Sequence, residues 1–230
     1  MTAPDYRTYN YAGHDEICLS FGAGHKPQIL IIPPLFDEMN RLRRVLASAM
    51  RDLAGSGVGS MLIDLPGCNE SGAALEMQSL DSWRGAVAAC AAQLGATHIA
   101  SIRGGALVDD GAVALPHWRL APVKGSSLLK TMIRTRIAGE KEAGNAVTEA
   151  QLLAQAEREP IELAGNLLSP AMVAQLALAE PAVVAHLTER KLGEDIIGSP
   201  LWLRAEPQDD AAMAANVAVD LDRWSVSCGA

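Results

Sequence analysis

Aromatic residues, basic charge, paired cysteines and long apolar runs are all scarce in this sequence, and each shortage excludes something. Four Trp, three Tyr and two Phe among 230 residues disfavour a base-stacking nucleic-acid platform and leave the core to Ala, Val, Leu and Ile. Twenty-seven acidic against 19 basic residues, a net charge of -8, provide no general polyanion-binding surface, so no nucleic-acid partner is expected. Cys18, Cys68, Cys90 and Cys228 form no C-x-x-C pair, which points to reduced thiols rather than a disulfide framework. No H-E-x-x-H motif or close histidine cluster is present, so no metal is expected. The glycines Gly55, Gly57 and Gly59 follow a helical pattern and precede a strand, the reverse of a dinucleotide fingerprint, and no cofactor is expected either. No stretch reaches the roughly 18 apolar residues of a spanning helix. The N-terminus, MTAPDYRTYNYAGHDE, lacks the basic and then apolar order of a signal peptide, which predicts a cytoplasmic protein without a membrane span.

What is present alternates in period. QILIIPP (28–34) is a short, continuously apolar run suited to a strand buried on both faces. From Asn40 to Leu53, Leu42, Val45, Leu46, Ala49, Met50 and Leu53 recur at helical spacing, and Gly55 and Gly57 mark the exit. VGSMLIDL (58–65) predicts a second strand, and Asp81 to Leu94 a helix capped by Asp81 or Ser79 and ended by Gly95. Thr97–Ile102 and Leu115–Val123 predict two further strands. Strands separated by single amphipathic helices imply right-handed crossovers and a mostly parallel sheet flanked by helices, an α/β protein. Residues 124–193 are dominated by Ala, Leu, Glu, Gln and Arg and read as a helical cap insertion. The core is then 1–123 and 194–230, with PLWLRA (200–205) as its returning strand.

Chemistry gathers at the strand ends. Asp64-Leu-Pro-Gly67-Cys68-Asn69-Glu70-Ser71 resembles the D-x-x-G-x-G-x-S turn after the fourth strand of α/β-hydrolases, with Asn69 at the second glycine; it reads equally as a plain turn with left-handed Gly67 and Asn69. Ser101-Ile102-Arg103-Gly104-Gly105 has the shape of a nucleophile elbow, where small flanking residues allow a sharp strand-to-helix turn under backbone N–H groups. Its apex is Arg103, and a guanidinium cannot attack a carbonyl. Asp209 or Asp210 fits the acid position after the PLWLRA strand, but no histidine follows either; His186, read as lying on a helix, is an ordinary partly buried or surface residue there or, as the lesser alternative, a displaced base. Pro33-Pro34 removes two N–H donors where an oxyanion hole is usually built.

Taken together, PPLFDEMNRLRR (33–44), DLPGCNESG (64–72), SIRGGALV (101–108), APVKGSSLLKTMIRTRIAG (121–139) and IELAGNLLSPAM (161–172) resemble one family. It is the second of the two hydrolase-like proteins that accompany the exosortase A system, encoded beside bacterial exopolysaccharide genes. The similarity runs from about residue 18 to 210, with P-P-x-x-x-E-M-N-x-x-R-R as its most specific piece. The resemblance implies an α/β-hydrolase fold and a genomic context; Arg103 looks like a residue its members also carry at the elbow, so the family name restores no triad.

Two functions follow as expectations. One is a catalytically degenerate hydrolase, a pseudoenzyme, that binds a small anionic or carbohydrate-related ligand, or a partner protein of the exopolysaccharide and sorting pathway. Its pocket would use Arg103 and Gly104 at a helix N-terminus, with Glu38, Asn40 and Asp64 beside them and Arg41, Arg43 or Arg44 near; alternatively Arg103 simply pairs with Glu38, Asp64 or an acid near Asp209. The other is an acyl or ester hydrolase with a non-standard apparatus built on Cys68, Ser71 or Ser101. A third possibility, a scaffold docking through the basic segment SLLKTMIRTRIAGEK, competes with that helix packing over its own core.

Overall fold

A computed structural model describes residues 3–228; Met1, Thr2, Gly229 and Ala230, at the outer limits of the expected core segments, lie outside the described residues. A hairpin of β1 (Asp5–Tyr11) and β2 (His14–Phe21) turns at Ala12 and Gly13, both at positive φ, the twist a two-residue hairpin loop needs. It leads into β3 (Gln28–Ile32), α1 (Asp37–Gly55), β4 (Gly59–Ile63), α2 (Leu80–Leu94), β5 (His98–Ile102) and β6 (His117–Leu120). Every residue of β3, β4, β5 and β6 is buried, as strands covered on both faces must be. Beyond them come α3 (Gly125–Glu142), α4 (Glu149–Ala156), a small hairpin of β7 (Ile161–Leu163) and β8 (Asn166–Leu168), α5 (Pro170–Leu178), β9 (Leu187–Arg190) and α6 (Ala211–Ser227).

The main sheet has seven strands in the order β1-β2-β4-β3-β5-β6-β9. Pairs from β4 to β9 are parallel, and the β1–β2 and β2–β4 pairs are antiparallel. Alternation along β3 shows how the layers form: Ile29 and Ile31 pack with α1 and α6, while Leu30 and Ile32 pack with α2, α3 and α5. The chain passes from β3 through α1 to β4 on one side, then through α2 across to β5 on the other. The crevice between the carboxyl ends of β3 and β5 is therefore a topological switch point, where open α/β sheets bind ligands.

Three local expectations are corrected. PLWLRA is not a strand: Leu201–Leu203 is a 3-10 turn that buries Leu201 and Trp202 against the α1–α6 layer. The last strand of the sheet is instead Leu187–Arg190, and His186, expected on a helix, directly precedes it, its carbonyl accepting from His117 N. Pairing with β6 overrides the helical composition of this stretch. Third, the segment after the elbow is no long helix but two 3-10 turns, Arg103–Leu107 and Asp109–Ala112.

Candidate functional site

Four non-glycine residues at positive φ stand in the loops leaving the carboxyl ends of β3, β4, β5 and β6: Phe36 (58°), Asn69 (49°), Arg103 (54°) and Ala121 (46°). Such backbone costs on the order of 1–3 kcal/mol per residue and gathers where surrounding structure over-determines it. Phe36 is held at the start of α1 by packing on Trp83, ring centroids 5.6 Å apart. Arg103 follows β5 immediately, so the sequence's elbow is an elbow in space. Two glycines make its turn possible: a Cβ on Gly105 would stand 2.6 Å from the Pro33 carbonyl oxygen, and one on Gly104 would meet Leu128 and Leu35.

Each nitrogen of the Arg103 guanidinium has a partner. Its Nε donates to Glu38 Oε2 at 3.1 Å and its Nη2 to Glu38 Oε1 at 3.0 Å, a two-pronged charge-assisted pair. Its Nη1 reaches the Ala121 carbonyl at 3.5 Å, and the guanidinium stacks over Trp202 at 4.6 Å from the ring centroid. The Trp202 carbonyl in turn accepts from Arg41 Nη1 at 2.8 Å. Of the expected partners of Arg103, Glu38 is the one found. The pair stands beside a cavity of about 120 Å³, walled by Leu35, Phe36, Leu128 and Met132 and rimmed by Asp37, Glu38, Arg41 and Arg103. Two carboxylates thus face two guanidiniums. The expected helix-terminus contribution is absent, because short 3-10 turns carry little aligned dipole.

The remaining expected residues are elsewhere. Asn40 is exposed on α1, and Gly104 is buried behind Leu35 and Leu128. Asp210 caps α6, accepting from Met213 N and Ser199 N at 2.9 and 3.0 Å. Asp209 bridges exposed Arg44 at 3.2 Å. Neither aspartate lines the cavity, and none of the five histidines does. Asp64 closes its own loop, accepting from Asn69 Nδ2 at 2.6 Å and Arg43 Nη1 at 3.4 Å. Burial pushes its carboxyl above the usual carboxylate range, against the pull of Asn69 and Arg43. Ser71 completes this turn, accepting from Gly67 N and donating to buried Glu16. The D-x-x-G-x-N-x-S segment is thus a self-bonded loop.

The alternative nucleophiles are equally occupied. Burial, then the nearby Asp64 and Glu16 carboxylates, push the Cys68 thiol up to about 12, which disfavours the nucleophilic thiolate. Ser101 is fully buried and donates to Asp109 Oδ2 at 2.7 Å. Sequence reasoning missed the network this belongs to. Arg119 forks onto both oxygens of Asp109 at 2.7 Å, and His117 places one ring nitrogen 3.0 Å from the Asp109 carbonyl and the other 2.7 Å from that of Leu115. The whole cluster is buried beneath the elbow. Its members come from β5, a 3-10 turn and β6, so no local spacing signals it. Trp202 was also missed as a site residue, because its segment reads as a strand.

No family profile and no curated protein matches the chain. Solved structures do match it. A Pseudomonas aeruginosa protein described only as hypothetical superposes with a TM-score of 0.54 at 12% identity, covering 84% of this chain and 78% of its own. The thioesterase domain from the curacin biosynthetic pathway gives 0.53 at 12%, covering 97% and 99%. Est1E from Butyrivibrio proteoclasticus, solved with ferulic acid bound, gives 0.53 at 15%, covering 74% and 70%. The chain therefore has the α/β-hydrolase fold, a mostly parallel central sheet flanked by helices. Among the described residues no helix is long and apolar enough to cross a membrane.

Proposed function

We propose that this protein uses the α/β-hydrolase fold to bind a ligand and does not hydrolyse through a triad. The observation that carries the proposal is the elbow apex. A strained residue at the end of β5 presents Arg103, clamped by Glu38 and stacked on Trp202, at the place that such a fold gives to a nucleophile. The ligand site is the cavity beside this pair, at the switch point of the sheet. Of residues 124–193, α3 to α5 act as a cap over the core, since α3 supplies Leu128, Thr131, Met132 and Thr135 to the cavity wall, whereas Leu187–Arg190 belongs to the core sheet with 1–123 and 194–230. The segments resembling the second exosortase-associated hydrolase support a role in the cytoplasmic part of exopolysaccharide assembly or protein sorting.

Charge balance narrows the ligand. A free anion drawn to Arg103 or Arg41 would also meet Glu38 and Asp37, and would have to displace a formed ion pair. A neutral ligand leaves the Arg103–Glu38 pair intact and no charge uncompensated. The testing experiment is turnover of p-nitrophenyl acetate, p-nitrophenyl butyrate and an acyl thioester by wild type, Arg103→Ala, Asp209→Asn and Asp210→Asn. All four proteins are expected to stay at the buffer rate. Turnover by wild type that an aspartate variant abolishes would overturn the proposal.

A further inference from the structure

The cavity beside Arg103 has a neighbour at Thr135. A second hollow of about 310 Å³ shares Thr135 and Ala164 with it and continues along α3 past Gly139 to Ala143, under the tip of the β7–β8 hairpin. From Leu128 to Ala143 the helix axis runs about 22 Å at ~1.5 Å per residue, and the two hollows, meeting at Thr135 and Ala164, line up end to end along α3 as a trench. Its ends differ in chemistry. The inner end is walled by Leu35, Phe36, Leu128 and Met132, with Asp37, Glu38, Arg41 and Arg103 at its rim. The outer end is rimmed by Arg136, Glu140 and Glu162, with Arg136 bridging Glu140 at 2.7 Å and Glu162 at 3.8 Å.

Within the trench the polar groups are mainly acceptors. Thr131 and Thr135 spend their hydroxyl hydrogens on the carbonyls of Ser127 and Thr131, at 3.0 and 3.1 Å, which leaves oxygen lone pairs free. Glu140 and Glu162 outnumber Arg136, so an anionic headgroup is repelled at the outer end, whereas hydroxyl groups can donate to the carboxylates and accept from the guanidinium. The charged Arg136, Glu140 and Glu162 at the outer end and the larger apolar lining of Leu35, Phe36, Leu128 and Met132 at the inner end match a molecule that is hydroxyl-rich at one end and hydrocarbon at the other.

We infer that the trench binds a carbohydrate bearing an alkyl or acyl substituent, with the hydrocarbon inside near Arg103 and the sugar outside between Glu140, Glu162 and the hairpin tip. The inference rests on the inner cavity being the ligand site, and the experiment separates the two. Binding to the full chain is measured by calorimetry, below the micelle concentration, for octyl maltoside, maltose, octanoate and octyltrimethylammonium. Wild type and Gly139→Trp are compared. Gly139 faces open space in a helix and tolerates a side chain, while Trp there fills the outer hollow.

Octyl maltoside is expected to bind at least tenfold more tightly than each of the other three, and Gly139→Trp to reduce it to the level of octanoate without changing octanoate itself. Equal affinities for all octyl compounds, or no effect of Gly139→Trp, would overturn the trench and leave the inner cavity as a ligand site. Tightest binding by the ammonium or the carboxylate compound would overturn the headgroup assignment. No binding by any octyl compound would overturn both the trench and the inner site.

Discussion

Arg103 carries two burdens that can be separated by substitution: its guanidinium holds Glu38, and its backbone sits at φ 54°. Arg103→Ala removes the pair and keeps the strain, which should cost about 1.5–3 kcal/mol because a largely buried carboxylate loses its charged partner. Arg103→Gly removes both and should be about 1 kcal/mol less destabilising, since glycine adopts positive φ without a Cβ clash. Removing Glu38 together with Arg103 should recover part of the loss. Urea denaturation of these variants checks the order, and an alanine variant as stable as the glycine one would show that the elbow is unstrained. Asp64 gives a pH-dependent case. Because burial raises its carboxyl in the folded state, folding favours the protonated form, and stability falls as pH rises from the unfolded value of about 3.9 through the raised folded one. Asp64→Asn should remove that fall while keeping an acceptor for Asn69, so that the stability difference from wild type grows in the variant's favour as pH climbs. A variant that loses stability on the same rise in pH would contradict the assignment.

At the scale of elements, what the sequence disclosed was whatever depended on local pattern. α1, α2 and the buried strands are visible in apolar periodicity, and Ser79 and Gly95 are found as the caps of α2, Ser79 accepting from Ser82 N and Gly95 at φ 71°. The β1–β2 hairpin was not anticipated because its turn, Ala12-Gly13, lacks the usual Asn or Asp. The β7–β8 hairpin was overlooked for the same reason at Ala164-Gly165. β9 and the 3-10 turn at Leu201–Leu203 exchanged roles because pairing and docking partners, not propensity, decide short segments. The same dependence on partners governs α6. It is tied to the sheet by Asp220, which accepts from Trp118 Nε1 at 2.6 Å and Arg190 Nε at 2.8 Å, and by Trp224, edge-on to His98 at 5.1 Å. Burial lowers His98 from its ordinary 6.5. Protonation is therefore harder in the folded state, and the docking of α6 should weaken as pH falls below about 6.5. Hydrogen exchange of α6 amides at pH 7.5 and pH 5 reads this directly. Faster opening at pH 5, abolished in His98→Phe, is the expected result; identical opening at both pH values would exclude it.

At the scale of the molecule, the proposal that this fold binds without hydrolysing rests on a small number of positions. The sheet order, the switch point and the elbow all point to one place, yet Arg103 occupies the apex, Asp210 is used as a helix cap and no described histidine reaches the cavity. The elbow and the missing histidine were legible in the sequence, because both are matters of residue identity and order. The bidentate Glu38 pair, the Trp202 stack and the buried Asp109–Arg119 network were not, because each joins segments that only the folded sheet brings together. Fold alone does not fix activity, so the central claim, that this site binds without an activated nucleophile, calls for a test independent of substrate choice. Incubation with a fluorophosphonate, which marks activated serines whatever their specificity, followed by intact mass spectrometry, provides it. The wild-type mass should remain unchanged after prolonged exposure, and a stoichiometric single adduct would contradict the account.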